Sequence, residues 1–454
     1  KGISNLYSTK IGWTVIRNGN SFPINSFIWN GNLGPETSAN NIPVGQFATG
    51  FENGDLFKFW TSEPNGFIDS NIVNDTIILD MREGVSGKFN VGGFFNLDFA
   101  NMQTATQFVD SFGAVCDSLI FNVRDGIYSG QIEFKEVLNT GIDRPIIFRA
   151  EKGEQGNVIL LDSNISSSSN FIAKFDQVKH IIFENITFMN LSNNFDQVIQ
   201  IVNGASNITF TNCTFENSYN GTSTSTNHYL VYSGNKQLNN NLTFNDCDFI
   251  NGNVALSAKG IAQDTALSNI SVLNCNFINQ SVNAVQIENC KNLAINSNTF
   301  TSVNAFLNNS SSISLLNISG SLEISKNSIS SVNGFPSAGI NISNYVGSPL
   351  NPGIVTNNFV SVGLKNSPNN YSGMNIEEGN FTNILNNSIL VSGINVSSSG
   401  MSIIGGGANN FINNNIFNEA IGFALFIEET VGFPIFKSDY NNLYSNGSFV
   451  VKHK

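Results

Sequence analysis

One short sequence pattern recurs ten times between residues 181 and 443, and it limits the possible folds of this chain more than any other feature. Each copy alternates apolar and polar residues, passes through an asparagine-rich bend and ends on an apolar residue. The copies lie about 28 residues apart, a spacing typical of repeat proteins in which each unit packs only on its neighbours. The apolar residues that end the copies, here called anchors, are predicted at Phe188, Phe215, Phe249, Phe277, Phe300, Ile329, Phe359, Ile389, Phe417 and Leu443.

The repeated unit is a β-structure. Its apolar residues alternate with a period of two, and no amphipathic helical pattern lies between the copies, which argues against helical and leucine-rich solenoids. A propeller blade needs about 40 residues, more than one copy offers. A third short strand is indicated in many copies, for example at 339–342, 373–376 and 400–403. The pattern therefore predicts an all-β parallel β-helix of about ten regular coils over residues 175–447.

The sequence contains 75 asparagines, and the predicted coil accounts for them. Equivalent residues of stacked coils lie ~4.8 Å apart, so identical asparagines can form a hydrogen-bonded ladder. Asparagine also tolerates the left-handed conformation of sharp bends. The position two residues before each anchor should point inward, which predicts three buried, reduced thiols followed by buried asparagines. The residues at this position are Cys213, Cys247, Cys275, Asn298, Asn327, Asn357, Asn387, Asn415 and Asn441.

The region before the regular coils has two parts. A helix at about 101–112 places Ala105, Phe108, Val109 and Phe112 on one face and is predicted to cap the first coils, which are less regular. We therefore assign residues 89–454 to the β-helix. Residues 1–88 contain all three tryptophans and several Asn-Gly turns, which indicates a β-rich segment. That segment is a small sandwich, the end of a larger preceding domain, or a segment packed beside the cap helix.

A run of motifs between residues 91 and 151 occurs in the order seen in a known group of proteins. The motifs are Val91–Gly93, Asp98–Phe99, the cap helix, Asn122–Tyr128 and Ile146–Glu151. The run resembles the start of the right-handed β-helix (pectin-lyase-like) modules of large surface proteins of Bacteroidota, commonly exported by type IX secretion. The resemblance implies a right-handed coil and an extracellular or cell-surface location. It implies no reaction, because such modules are often non-catalytic parts of adhesins.

Two further features are a charged pair within this run and the ends of the chain. Arg124 and Asp125 lie within the run, and we interpret them as a pair that stabilises a turn rather than as catalytic groups. The first residue is lysine and no C-terminal sorting domain is visible, which indicates a processed chain or a fragment of a protein with additional modules.

Charge and residue type narrow the functional classes. The chain carries 21 basic and 33 acidic residues, for a formal charge of −12, which argues against nucleic-acid binding. No stretch has the length and apolar character of a membrane-spanning helix. All five arginines lie at or before residue 149, so the regular coils lack the arginine that lyases acting on uronates generally use. No catalytic residue is therefore assigned, and an enzymatic activity, as a polysaccharide lyase or glycoside hydrolase, is not favoured.

A row of glutamates is the candidate ligand site. In the third strand of a coil the apolar pair points inward, so the next alternating position points outward, at Glu288, Glu377 and Glu428. Glu377 and Glu428 should lie two coils apart, ~9.6 Å between backbone positions. Inverting glycosidases separate their carboxyl groups by about 6.5–9.5 Å. Catalysis is geometrically possible but is not the favoured interpretation, because exposed glutamates on a solvated strand are ordinary. Sugar binding and Ca²⁺ binding are the alternatives, although few oxygen ligands for Ca²⁺ are visible.

These observations predict a secreted structural or adhesive module at the cell surface that contacts glycans or extracellular matrix without catalysis. A long rigid coil projects a surface far from the cell, and weakly charged faces rich in asparagine suit hydrogen bonding to neutral sugars. Two alternatives remain: a carbohydrate-active enzyme with its site on the outer strand face, and a subunit of a self-associating extracellular filament.

Overall fold

The fold is seen in a computed structural model that describes most of the chain: residues 5–35, 37–47, 50, 52, 54–69, 75–81, 84–93, 95–163, 169–192, 197–218, 229–234, 239–262, 266–302, 310–331, 337–430 and 433–454. The chain divides into two compact units. One comprises residues 1–85 with 111–116, and the other comprises 86–110 with 117–454.

The described strands of the first unit form one antiparallel sheet. Its central strand, β1, pairs with β2, β3 and β4, and β4 pairs with β5. Trp13, Val15 and Phe57 are buried on one side of this sheet, where alternate residues of β1 and β4 meet. The strands are β1 (Leu6–Arg17), β2 (Asn20–Ser21), β3 (Asn25–Leu33), β4 (Asp55–Ser62) and β5 (Thr76–Met81), and a short 3-10 helix spans Pro64–Gly66.

The predicted cap helix is confirmed as α1 (Met102–Phe112). Asn101 caps its start, because the side-chain Oδ1 accepts a hydrogen bond of 2.9 Å from the Thr104 amide. Ala105 and Val109 are fully buried, as the helical pattern indicates. Phe108 packs on Phe99, with ring centroids 5.0 Å apart. Within the described residues, no helix is long and apolar enough to cross a membrane.

The second unit is a parallel β-solenoid of about twelve turns, which confirms the predicted fold class. Its strands, in chain order, are β6 (Val85–Val91), β7 (Val115–Val123), β8 (Gly126–Ser129), β9 (Ile132–Phe134), β10 (Ile146–Ala150), β11 (Val158–Asp162), β12 (Ala173–Asp176), β13 (Lys179–Glu184), β14 (Ile186–Asn190), β15 (Ile199–Val202), β16 (Ser206–Thr211), β17 (Thr214–Asn217), β18 (Tyr229–Ser233), β19 (Leu242–Asn245), β20 (Asp248–Ile250), β21 (Val254–Lys259), β22 (Leu267–Leu273), β23 (Asn276–Ile278), β24 (Asn283–Asn296), β25 (Thr299–Ser302), β26 (Ser311–Ser325), β27 (Ser328–Ser331), β28 (Ala338–Val346), β29 (Gly353–Thr356), β30 (Phe359–Gly363), β31 (Ser372–Glu377), β32 (Thr382–Leu385), β33 (Ser388–Ser392), β34 (Ser399–Ile404), β35 (Asn409–Ile412), β36 (Asn415–Asn418), β37 (Phe423–Glu428), β38 (Ile435–Asp439), β39 (Asn442–Ser445) and β40 (Val451–His453).

Each turn contributes one strand to each of three faces. The first face contains β7, β10, β13, β16, β19, β22, the second halves of β24 and β26, and β29, β32, β35 and β38. The second face contains β8, β11, β14, β17, β20, β23, β25, β27, β30, β33, β36 and β39. The third face contains β9, β12, β15, β18, β21, the first halves of β24 and β26, and β28, β31, β34, β37 and β40.

The predicted anchors form the inner row of the second face. Phe188, Phe215, Phe249, Phe277 and Phe300 pair in one register, and Ile329, Ile389 and Leu443 continue the row. The ring of Phe277 stacks between those of Phe249 and Phe300, with centroids 4.6 and 4.7 Å away. Stacking in register buries each ring on both sides, so the row is a continuous part of the core.

Two of the predicted anchors are wrong by one residue. Val360 and Ile416 occupy the inner row, whereas Phe359 is 51% exposed and Phe417 is 39% exposed. The register follows a left-handed residue three positions before the inner anchor and not the larger apolar side chain. These residues have φ angles of 51–61°, and that of Asn357 is 55°. A left-handed residue turns the chain at one fixed point, and alternation then assigns the inward side.

The asparagine ladder is present and lies inside the coil. From Asn298 to Asn414, each side-chain Nδ2 donates to the Oδ1 of the asparagine in the next turn at 2.9–3.0 Å. The members are Asn298, Asn327, Asn358, Asn387, Asn414 and Asn441. Asn358 and Asn414 therefore replace the predicted Asn357 and Asn415, because the same one-residue shift that moved the two anchors moves this position as well.

We expect Phe277→Ala to lower the free energy of unfolding by ~3–5 kcal/mol, because it removes a buried ring that contacts a turn on each side. Phe359→Ala is the matched control, and it should cost less than about 1 kcal/mol since that ring lies outside the core. Urea denaturation of the two variants compares them directly. Equal losses of stability would contradict the assigned register.

The three stacked cysteines are buried and form no disulfide, as predicted. Burial raises the pKa of the Cys213 thiol to about 12, and it raises the pKa of the Cys247 thiol as well. Each sulfur lies near a main-chain carbonyl oxygen of the preceding turn, such as that of Phe183 for Cys213 at 3.5 Å. The thiols of Cys213 and Cys247 are therefore protonated and unreactive near neutral pH.

In the native protein we expect a thiol reagent to label only Cys116, which is exposed, and to label the other four cysteines after denaturation.

An unfolded cysteine ionises at about pH 8.5, so above that pH the unfolded chain releases protons that the folded protein keeps. Stability should therefore fall as the pH rises from about 8.5 toward 12. Rapid labelling of several thiols at neutral pH, or a pH-independent melting temperature across this window, would count against the burial of the stack.

Candidate functional site

The three predicted site glutamates lie in one outward register row on the third face. Successive pairings connect Glu288 through Leu316 and Ser343 to Glu377, and then through Ile404 to Glu428. Glu377 and Glu428 are two turns apart, ~9.6 Å between backbone positions, and Glu288 is three turns from Glu377. The geometry of the row therefore agrees with the alternation of the sequence, while its role in ligand binding stays a prediction.

The contacts of these glutamates differ. Glu428 pairs with Lys454, whose Nζ lies 2.8 Å from Oε1. Glu377 is exposed, and its Oε2 lies 3.4 Å from the hydroxyl of Ser343. The following residue, Glu378, accepts hydrogen bonds from the Thr430 hydroxyl at 2.9 Å and from the Gly406 amide at 3.1 Å. The carboxylates of Glu428 and Glu378 thus connect nearby turns of the solenoid.

The carboxylates do not converge on a metal position. Among the described residues, no group of three or more His, Cys, Asp and Glu side chains is arranged so that it could hold a metal ion. Ca²⁺ takes six to eight oxygen ligands in proteins. The row therefore offers isolated carboxylates rather than a coordination shell.

Arg124 and Asp125 contact the chain around them. The Arg124 guanidinium donates to the main-chain oxygens of Phe95, Gly92 and Asn96. Asp125 pairs with Lys152 at 2.5 Å. These contacts hold the loop and turn at the start of the solenoid, in keeping with a structural role.

A groove of about 540 Å³ runs along the outer surface of the third face. It crosses the strands from β26 to β40, which is five steps or ~24 Å along the solenoid axis. Most lining side chains are neutral and carry a hydroxyl or an amide. The lining residues are Ser311, Ser337, Ala338, Asn341, Asn370, Ser372, Asn375, Ser397, Ser399, Ser402, Ile404, Phe423, Phe426 and Lys452.

The strand register brings these residues together. Asn341, Asn375, Ser402, Phe426 and Lys452 occupy one outward row in successive turns. Ile404 also lines the groove, and it lies in register between Glu377 and Glu428. The glutamate row therefore follows one side of the groove, two residues further along each strand.

Glycines allow the third face to begin close to the second face. The glycine at 373 faces inward, and a Cβ there would lie 2.2 Å from a methyl carbon of Ile389. Gly400 stands in the same relation to Ile416. Because no side chain fits at these positions, the strands that form the groove floor lie directly against the anchor row.

The floor of the groove contains a chain of short polar contacts. Asn375 donates from Nδ2 to the Oδ1 of Asn341 at 2.9 Å. The hydroxyls of Ser399 and Ser402 lie 2.8 Å apart, and Ser399 donates to Ser372 at 3.2 Å. Within the described part of the chain, the Nδ2 of Asn341 and the Oδ1 of Asn375 have no further partner. The floor thus keeps both donors and acceptors available.

Ser311 lies at the opposite end of the groove from Lys452 and has an unused hydroxyl. The residue is only 8% exposed, and its main-chain amide is bonded to Asn283 Oδ1 and to Val282 oxygen. Its Oγ has no hydrogen-bond partner among the residues that the structure describes. Because Ser311 lines the groove, its hydroxyl can donate a hydrogen bond to, or accept one from, a ligand or water that enters there.

Two phenylalanines form the end of the groove opposite Ser311. The rings of Phe423 and Phe426 have centroids 6.3 Å apart. Lys452 extends across them, with its Nζ 5.1 Å from the first ring and 5.7 Å from the second. Aromatic faces beside hydroxyl and amide groups suit a ligand with both apolar and hydroxyl-bearing surfaces, such as a sugar ring.

This groove was not predicted from the sequence. A polar residue between two inward apolar positions could have indicated the groove floor. It occurs as Asn341, Asn375 and Ser402 in the predicted third strands at 339–342, 373–376 and 400–403. The walls could not be found in that way, because Asn370 and Ser397 lie in bends whose lengths vary from turn to turn.

Comparisons with known proteins establish neither a family nor a function for this chain. No protein-family profile matches the sequence, and no curated protein matches it. Among solved structures, PfbA, a surface adhesin of Streptococcus pneumoniae, is 13% identical over 77% of this chain and 88% of its own, with a TM-score of 0.43. The Agl-KA catalytic domain is 10% identical over 99% of this chain and 88% of its own, with a TM-score of 0.44.

The pectin methylesterase from Aspergillus niger is 12% identical over 81% of this chain and 93% of its own, with a TM-score of 0.34. An adhesin and enzymes are thus similar to this chain at the same low level, so the likeness decides no function. Export by type IX secretion, which the motifs of residues 91–151 imply, stays a prediction.

Proposed function

We propose that this protein is a secreted, non-catalytic adhesive module of the cell surface that binds glycans in the groove of the third face. The observation that carries the proposal is the composition of that groove. Nine of its lining residues are serines or asparagines, and its floor has donors and acceptors that no described residue pairs with. Sugar hydroxyls both donate and accept hydrogen bonds, so a neutral amide and hydroxyl surface is complementary to them.

The shape of the groove also supports binding of an extended chain. It follows the solenoid axis for ~24 Å, and each turn repeats the same outward position at ~4.8 Å. A linear oligosaccharide that lies along the axis would meet one polar side chain after another. The parallel stacking holds those side chains on strands rather than on loops, which limits the entropy lost on binding.

A carbohydrate-active enzyme is the second candidate, and one observation favours it. Glu377 and Glu428 flank Ile404 at a spacing close to that of an inverting carboxyl pair. Against it, Glu428 is paired with Lys454. Binding without hydrolysis is therefore the function that the groove supports best. The extracellular location and export by type IX secretion belong to the same proposal and are supported by the motif resemblance alone.

The double variant Asn341→Ala, Asn375→Ala tests the proposed binding site. We expect it to lose about tenfold in affinity for any neutral oligosaccharide that the parent retains on a glycan array, because two hydrogen-bonding side chains are removed. Gln286→Ala is the matched control, since Gln286 lies in the same outward row two turns before Asn341 but outside the groove. Its affinity should be unchanged.

Release of reducing sugars or of unsaturated products from the bound glycans would instead support the enzymatic candidate. Loss of that activity in the Glu377→Gln variant would indicate that the active site lies at the glutamate row. Binding that is equal in the parent and the double variant, or no retention of any glycan, would contradict the proposed site.

A further inference from the structure

The groove is chemically asymmetric along its length, and we infer that it selects an otherwise neutral oligosaccharide that carries one anionic group, held at the Phe423–Phe426 end by Lys452. This inference rests on the proposed glycan-binding function and specifies its ligand class. The shared chemistry is a single carboxylate or sulfate on a sugar chain.

Lys452 is the one charged residue among the groove's lining residues. The other polar residues that line it are serines and asparagines, so an anion at any other position would meet only neutral groups. At the Lys452 end, an anion would meet an ammonium group that can donate charge-assisted hydrogen bonds. The lining thus distinguishes one end of a ligand from the other.

The ammonium of Lys452 is available for a ligand, whereas the side chains of its neighbours His453 and Lys454 each pair with a glutamate. On the same last strand and tail, Lys454 pairs with Glu428 at 2.8 Å and His453 lies 2.9 Å from Glu429. Lys452 forms no ion pair with any residue that the structure describes. Its contacts are with the two phenylalanine rings, which hold the side chain over the groove without neutralising its charge.

The aromatic pair and the cation together define the position of the anionic sugar. A sugar ring that packs on Phe423 or Phe426 would lie beside the ammonium, because Lys452 follows Phe426 in the same outward row, one turn further. The remainder of the chain would extend over Ser402, Asn375 and Asn341 toward Ser311. Ser311 offers its unpaired hydroxyl to the far end.

The charge of the whole protein sets an upper limit on the charge of the ligand. The chain has a formal charge of −12, which disfavours the approach of a polyanion. One exposed cation compensates locally for one anionic group and not for an anion on every sugar. The groove should therefore discriminate against polyuronates as well as against fully neutral chains.

The experiment compares three sets of probes on one glycan array with the full chain. The sets are neutral tetra- to hexasaccharides, the same chains with one terminal sialic acid or one sulfate ester, and oligogalacturonates. We expect the monoanionic members to bind about tenfold more tightly than their neutral counterparts, and the preference to decrease as salt is raised. The carboxylate and sulfate members identify which anion is preferred.

Lys452→Met keeps an apolar side chain over the rings and removes the charge. It should reduce the tenfold preference to less than about twofold while neutral chains bind as before, whereas Lys454→Met, outside the groove, should leave the preference intact. An unchanged preference in Lys452→Met, or equal binding of neutral and monoanionic chains to the parent, would overturn the inference and leave the proposed function standing. Absence of all binding would overturn both.

Discussion

The hydrogen-bonded ladder of buried asparagines is the interaction on which the second half of the solenoid depends. From Asn298 to Asn414, each side-chain amide donates to the asparagine of the next turn and to a main-chain oxygen of the preceding turn, for example Asn358 to Asn387 and to Ile324. Such an amide satisfies polar main-chain groups inside the coil that would otherwise be buried without partners. The ladder begins where the cysteines end, since the amide of Cys275 donates to Asn298 Oδ1 at 2.8 Å.

Each ladder bond joins equivalent positions of successive turns, so the ladder stabilises the register that the left-handed bend residues select. That register determines which residues meet on the outside. A shift of one residue would exchange inward and outward positions. In the observed register, apolar residues such as Met374 and Ile376 point inward while Asn375 between them points outward. The groove is thus a consequence of stacking: residues about 30 positions apart in sequence become neighbours at strand spacing.

Much of this arrangement could be predicted from the repeat, because period, alternation and bend residues act locally. The coil, the cap helix, the buried thiols and the outward glutamate row all follow from those patterns. Errors arose where two apolar residues competed for one position, as with Phe359 and Val360, since size favours the first and the left-handed Asn357 selects the second. The groove was missed because its walls come from irregular bends, and the available charge on Lys452 depends on how the last strand pairs.

The most direct test of this account compares Asn358→Ala with Asn357→Gly in urea denaturation. The account predicts a loss of about 2–4 kcal/mol for Asn358→Ala, because neighbouring donors and acceptors lose their partners in a buried site. Asn357 is exposed and has a φ of 55°, which glycine adopts freely, so its replacement should change stability by less than about 0.5 kcal/mol. If Asn357→Gly proved the more damaging change, or if both were neutral, the ladder would not be the interaction on which the second half of the solenoid depends.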